Sequence, residues 1–258
     1  MTGWEMAAVV AAGFGAGAIN AAVGSGSLLS FPVIVATGVP PVAATVTNSL
    51  GLIAGGLTGS FGYRREIAAL RRWLPWALPG AVLGALTGAW LLLHLPSATF
   101  DRVVPVLVAL AAALVAVQPF IDRALARRRE HHPDAPVSRG RLAGIGLGSY
   151  ATSTYGGYFS ASQGVLLMGV AGLIAPQPLQ RLNALKNITT VTVNSVAAAT
   201  YVIVAPDRVV WSAAGLLTVG SLVGGAVGAR VGRRLPTALL RGLILLLAVI
   251  AIAFLLSR

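Results

Sequence analysis

Two stretches of this chain are too long to cross a membrane once, and both are broken by glycine where a helix would have to continue. No other feature constrains the fold as much. Apolar runs occupy residues 7–36, 42–63, 73–93, 103–120, 142–170, 182–205, 209–229 and 239–256. A spanning helix takes about 20 residues, so most runs fit one crossing. Runs 7–36 and 142–170 do not. The first is interrupted at Gly24-Ser25-Gly26-Ser27, with Phe31-Pro32 soon after, and the second at Tyr155-Gly156-Gly157-Tyr158. Each glycine costs a helix interior about 1 kcal/mol relative to alanine, so the breaks are real punctuation.

Charge agrees with a membrane reading. Charged residues make up 10% of the chain and hydrophobic residues 56%, against about 25% charged in a soluble domain. Such a chain cannot wrap a polar surface around one core, which excludes a soluble enzyme and makes the lipid bilayer its first partner. The net charge of +12 sits between the apolar runs, so it marks cytoplasmic loops and implies no nucleic-acid partner. The chain has no cysteine, which removes disulfides, Cys-ligated zinc and Fe–S clusters and leaves the compartment open. No basic residue precedes the first run and Glu5 stands before it; a cleaved signal peptide needs a positive start, so the first segment is expected to be retained.

Internal duplication is visible. Gly13, Gly15, Gly17, Gly26 and Gly38 recur 131 positions later as Gly144, Gly146, Gly148, Gly157 and Gly169. Asn48 recurs 139 later as Asn187, and Gly80, Gly84, Gly88 and Leu95-Pro96 recur 140 later as Gly220, Gly224, Gly228 and Leu235-Pro236. This divides the chain into a membrane repeat at 1–120, an Arg-rich cytoplasmic linker at 121–140 and a second membrane repeat at 141–258. Duplication of this kind is a signature of secondary transporters.

The charges also choose the topology. If each long run crosses once, the halves are parallel and the basic residues divide 12 inside to 7 outside. If each long run enters and returns, the halves are inverted and the division is 16 to 3, with only Arg102, Arg208 and Arg258 outside. The positive-inside rule favours inversion. The nine residues 28–36 span only about 13 Å as helix, too short to cross. The expected fold is all-α: a polytopic membrane protein of two inverted repeats, each a broken or re-entrant helical hairpin followed by three transmembrane helices. Trp4, Trp73, Trp76 and Trp211 lie near run starts, where interfacial aromatics sit, although ordinary lipid-facing aromatics would look the same.

The Gly-Phe-Gly-Ala-Gly stretch from Gly13, the Gly-Ser-Gly-Ser-Leu-Leu-Ser-Phe-Pro from Gly24, and the Gly-Val-Pro-Pro-Val-Ala-Ala-Thr from Gly38 together resemble the opening of the sulfite exporter TauE/SafE family. So do the Leu-Asn-Ala-Leu-Lys-Asn ending at Asn187, running into Val-Asn-Ser-Val-Ala-Ala-Ala, and the Val-Gly-Gly-Ala-Val-Gly-Ala-Arg ending at Arg230. The resemblance covers the chain apart from the linker. One departure is that the second break has Tyr155-Gly-Gly-Tyr158 and Ser162-Gln163 where the first has Ser-Gly-Ser and Phe-Pro. The resemblance implies an integral transporter of small anions in the plasma membrane, sulfite and organosulfonates being the named substrates.

An anion needs no charged side chain if a half-helix begins at depth, because its first N–H groups lack partners and its dipole end is positive. Ser25, Gly26 and Ser27 are expected to open one such half-helix, and Gly156, Gly157 and Tyr158 the other. The alternative is that these glycines only permit close packing. Asn48 and Asn187, at matching places in polar stretches, would add amide donors or else bond between helices. Lys186 is the only lysine; it could draw an anion in or snorkel to the headgroups. Tyr155, Ser160, Ser162, Gln163 and Asn194 are further polar residues of the second half. His94, His131 and His132 lack metal-ligand company, and no Ser-His-Asp set, P-loop or dinucleotide fingerprint occurs. No catalytic residue, metal or cofactor is expected. The reading is an exporter of a small anionic substrate, driven by membrane potential because all seven acids lie at or beyond run ends; a non-transporting accessory membrane protein is the alternative. Homo-oligomerisation stays open.

Overall fold

The computed structural model describes residues 1–131, 138–175 and 177–231, and beyond these residues 242, 245, 246, 249, 250, 252 and 253. The run at 239–256, the repeat pair Leu235-Pro236 and the His132 end of the linker therefore lie mostly or wholly outside the described residues. Among the described residues all regular structure is helical. The order is α1 (Gly3–Ala22), α2 (Ser27–Ala36), α3 (Pro41–Gly51), α4 (Ile53–Gly62), α5 (Arg64–Ala69), α6 (Leu74–His94), α7 (Ser97–His131), α8 (Arg139–Tyr158), α9 (Gln163–Ile174), α10 (Leu179–Val204) and α11 (Trp211–Val231).

Six stretches are long and apolar enough to cross a bilayer: α1, α3 with α4, α6, α7 through Arg127, α10, and α11 through Arg230. The protein is a multi-pass membrane protein. Its surface confirms the solvent: Leu83, Leu86, Val106, Leu110, Phe120, Val219 and Ile203 are exposed, while Asn48, Lys186, Asn187, Asn194 and Gln163 are buried. A hydrocarbon surround imposes this arrangement, since an unpaired polar group facing lipid has nothing to bond. Each long run becomes a full helix and a short one: α1 with 20 residues followed by α2 with 10, and α8 with 20 followed by α9 with 12.

Glycine rows set the packing. A Cβ built on Gly80, Gly84 or Gly88 of α6 would lie within 2.4 Å of the carbonyl oxygens of Gly146, Tyr150 and Thr154 of α8. One built on Gly220, Gly224 or Gly228 of α11 would meet the carbonyls of Val10, Phe14 and Ala18 of α1 at 2.4 Å or less. Hence α6 lies parallel on α8 and α11 parallel on α1, with backbones in contact, as small-residue rows allow. Each half lends a helix to the other. These contacts revise the register read from glycines alone. They relate Val10 to Gly146 and Phe14 to Tyr150, a spacing of 136 that also separates the starts of α1 and α8 and of α2 and α9. The glycines matched at 131 do not share roles: Gly13 and Gly17 face α11, whereas Gly144 and Gly148 face Ile174 and Val170 of α9.

Two further differences have simple causes. Residues 121–131, read as the start of the linker, are the last turns of α7, whose alanine and arginine content favours helix. Trp73 is only 5% exposed and packs with Leu70 and Ala77, so it is a core residue, while Trp4, Trp76 and Trp211 are exposed. The step between α3 and α4 at Leu52 comes from Ser221: its hydroxyl donates to the Gly51 carbonyl at 2.7 Å and accepts from the Gly55 N–H at 3.3 Å. A side chain inserted in the helical ladder is an ordinary cause of a kink.

Candidate functional site

The α1–α2 break is a tight turn that only glycine accommodates at its apex. Gly24 has φ of +94°, and a Cβ there would stand 2.7 Å from Lys186 Cδ and 3.1 Å from Gly164 Cα. The N–H of Gly26 is held by Asn20 Oδ1 at 2.8 Å, so the last turn of α1 caps the start of α2. Ser25 is fully buried and its hydroxyl has no hydrogen-bond partner among the described residues.

The second break differs from expectation. Gly156, Gly157 and Tyr158 do not open α9; they close α8. The chain leaves helical geometry at Phe159 (φ −149°, ψ 100°), and α9 opens at Gln163 after Ser162, which has φ of +60°. The glycines stay helical because they are contact surfaces. Gly157 lies against the Ala85 backbone of α6, and Gly156 against the Gln163 side chain. The Gly157 carbonyl accepts from Tyr201. Tyr158 packs edge-on to Phe100 at 5.5 Å between ring centroids. Ser162 donates to the Ala111 carbonyl at 3.2 Å, and Gln163 Nε2 to Ser153 at 3.3 Å.

The two breaks touch. Gly24 and Gly164 meet backbone to backbone. Ser160 donates to the Ser27 hydroxyl at 3.2 Å, Asn48 Nδ2 donates to Ser160 at 3.3 Å, and Ser30 donates to Asn48 Oδ1 at 2.5 Å. From the other side, Lys186 Nζ and Asn187 Nδ2 both donate to the Ala21 carbonyl, at 3.4 and 3.3 Å. Lys186 is 1% exposed, so it does not snorkel. Along α10, Asn183, Thr190 and Asn194 each carry a side-chain oxygen with no hydrogen-bond partner among the described residues; with Asn187 they form one helical face. One side of the junction is closed by rings: Phe31 on Phe159 at 5.3 Å, and Phe159 also against Phe100 and Tyr155 at 6.2 and 6.4 Å.

The junction thus brings together Ser25, Gly26, Ser27, Asn48, Lys186 and Asn187, and leaves Gly156, Gly157 and Tyr158 in helix packing beside it. Sequence reasoning missed Asn20 and Ser30 as partners. Asn20 is the only amide in run 7–36, which was the available signal. Among the described residues no group of three His, Asp or Glu side chains is placed to hold a metal.

Broken helices meeting inside a bundle of membrane-length helices, with polar side chains turned inward, are an architecture common among secondary transporters. The model of the family described as "Sulfite exporter TauE/SafE" matches residues 9–255, and the chain belongs to that family. It is similar to a probable membrane transporter protein of Haemophilus influenzae, 32% identical over 103 residues, 40% of each chain. It is also similar to the probable membrane transporter protein YfcA of Escherichia coli K12, 24% identical over 211 residues, 81% of this chain and 74% of that one. A probable membrane transporter protein, ORF9, of a Sinorhizobium species is 30% identical over 115 residues, 44% of each chain. The chain therefore spans less than half of the Haemophilus and Sinorhizobium relatives and about three quarters of the Escherichia coli one. No solved structure matches it.

Proposed function

We propose that the protein exports a small oxyanion or sulfonate, of which sulfite is the model, and that the anion binds where the two breaks meet. The observation that carries this reading is the contact of Gly24 with Gly164 beside Lys186. Two helix starts, the buried Lys186 and the Ser27, Ser160 and Asn48 hydrogen-bonding groups converge there. Hydroxyl and amide donors bind an anion without holding it irreversibly, as transport requires. Lys186 supplies the charge that these neutral groups lack.

We read the two halves as inverted repeats, a reading supported by the reciprocal packing of α6 on α8 and α11 on α1. Asp122 lies 25 residues into α7, about 37 Å along the helix against about 30 Å of hydrocarbon, so it belongs to the interface and not to mid-bilayer. With no acid at mid-depth among the described residues, export is driven by the membrane potential, worth about 2.3 kcal/mol per charge per 100 mV. The test is flux of labelled sulfite, and of a strong-acid sulfonate, from proteoliposomes. Saturable efflux abolished by Lys186→Gln supports the proposal; equal efflux from protein-free vesicles overturns it.

A further inference from the structure

Away from the junction, a cavity of about 430 Å³ lies between α4 and α11, at the end of the bundle where Arg64, Arg65, Arg71 and Arg72 cluster. The charge rule assigns that end to the cytoplasm. It exists because the helices cross on small residues. A Cβ on Gly62 would stand 2.4 Å from Ala229 Cβ, so the two backbones lie close together. Thr58 ties the two helices by donating to the Leu222 carbonyl at 3.0 Å.

Arg64 and Arg230 stand at the rim, and among the described residues no acid lines the cavity. Arg64 is held in place: Nη1 donates to the Phe61 carbonyl at 3.3 Å, and its guanidinium lies 4.8 Å from the centre of the Phe61 ring. Phe61 is 69% exposed. Leu57 lies one turn before it on the same face, and Val219, Leu222 and Val223 continue the face on α11; all are exposed. The groove is therefore cationic at its end and hydrocarbon-facing along its length.

We infer that this groove binds an anionic phospholipid, with its phosphate between Arg64 and Arg230 and an acyl chain lying along Phe61 and Leu57. Guanidinium groups match phosphate oxygens two at a time, and basic pockets between helices at the cytoplasmic face are where headgroups bind. A free substrate anion would gain nothing from the apolar wall, and the cavity shares no residue with the Ser27–Ser160 junction. The inference stands whether or not the transport reading holds.

The test is native mass spectrometry of the full chain in detergent, titrated with phosphatidylglycerol or phosphatidylcholine. Phosphatidylglycerol is retained preferentially, and its apparent affinity falls about fivefold for each of Arg64→Gln and Arg230→Gln. The Arg139→Gln/Arg141→Gln variant, which removes two charges at the start of α8 where each of those variants removes one, changes it less than about twofold. Ala226→Leu, which fills the groove and keeps both arginines, also lowers retention, so the inference stays testable where the arginine variants do not fold. Equal retention of phosphatidylcholine, an equal loss in the Arg139/Arg141 variant, or displacement of the lipid by millimolar inorganic phosphate overturns it.

Discussion

Ser160 donates a hydrogen bond to Ser27 at 3.2 Å across 133 positions of sequence. The contact joins the two breaks of the chain, and Asn48 extends it to a third helix. Removing one member leaves the others with unsatisfied groups in a dry interior, at about 1 kcal/mol each. Ser160→Ala and Asn48→Ala are therefore each expected to weaken sulfite transport affinity about fivefold. A double-mutant cycle of Ser27→Ala with Ser160→Ala is expected to give non-additive losses in affinity. Strict additivity would place the anion elsewhere.

Lys186 is expected to be irreplaceable by a neutral residue. Lys186→Gln should remain folded, since the amide can still donate to Ala21, yet lose transport. Flux and thermal stability, measured together, separate these outcomes.

The glycines divide by mechanism. Gly26→Leu and Gly157→Leu place a side chain 2.0 Å from the Ala16 carbonyl and 2.6 Å from the Ala85 carbonyl. Neither backbone can yield, so these variants are expected to lose folded protein from the membrane instead of making a folded but blocked transporter. Gly38→Ala meets nothing within 4 Å and carries only the strain of φ +88°, about 1 kcal/mol. Fluorescence-detected gel filtration of detergent extracts checks all three.

Phe159 touches Phe31, Phe100 and Tyr155 and closes the junction on the side where α7 begins. Phe159→Ala is expected to admit water. A cysteine at Ser27, in this naturally Cys-free chain, should then react with an impermeant maleimide added from outside, and should be protected when Phe159 is present. The same chemistry tests the topology: cysteines at Arg65 and Ser138 should label from inside, and those at Ser97 and Asp207 from outside.

Efflux of a strong-acid sulfonate should follow an imposed potassium–valinomycin potential at constant pH. Efflux that ignores potential and follows a pH gradient would move the driving force to a proton, with Asp122 and Lys186 the groups to carry it.

The membrane class, the breaks and the unusual polar residues Asn48, Asn187 and Lys186 were legible because each is a local anomaly: glycine in an apolar run, an amide in hydrocarbon, one lysine among arginines; the burial of Lys186 was not, since a lysine near a segment start reads first as one that snorkels. The second break was misplaced by four residues because a glycine pair reads alike whether it ends a helix or packs against one. Only the Ala85 backbone on the neighbouring helix decides that, and no local pattern reports it.

The glycine rows have a consequence for how the chain is made. α1 emerges first, but its backbone partner α11 is synthesised about 200 residues later, whereas α6 meets α8 after a far shorter wait. Until α11 arrives, the carbonyl face of α1 from Val10 to Ala18 has only lipid beside it. Assembly is thus gated by the most distant contact, as for any fold dominated by non-local pairing. A ribosome stalled in the linker would leave a half-molecule whose first helix is inserted but unpartnered, ready for quality control or for capture by the wrong helix.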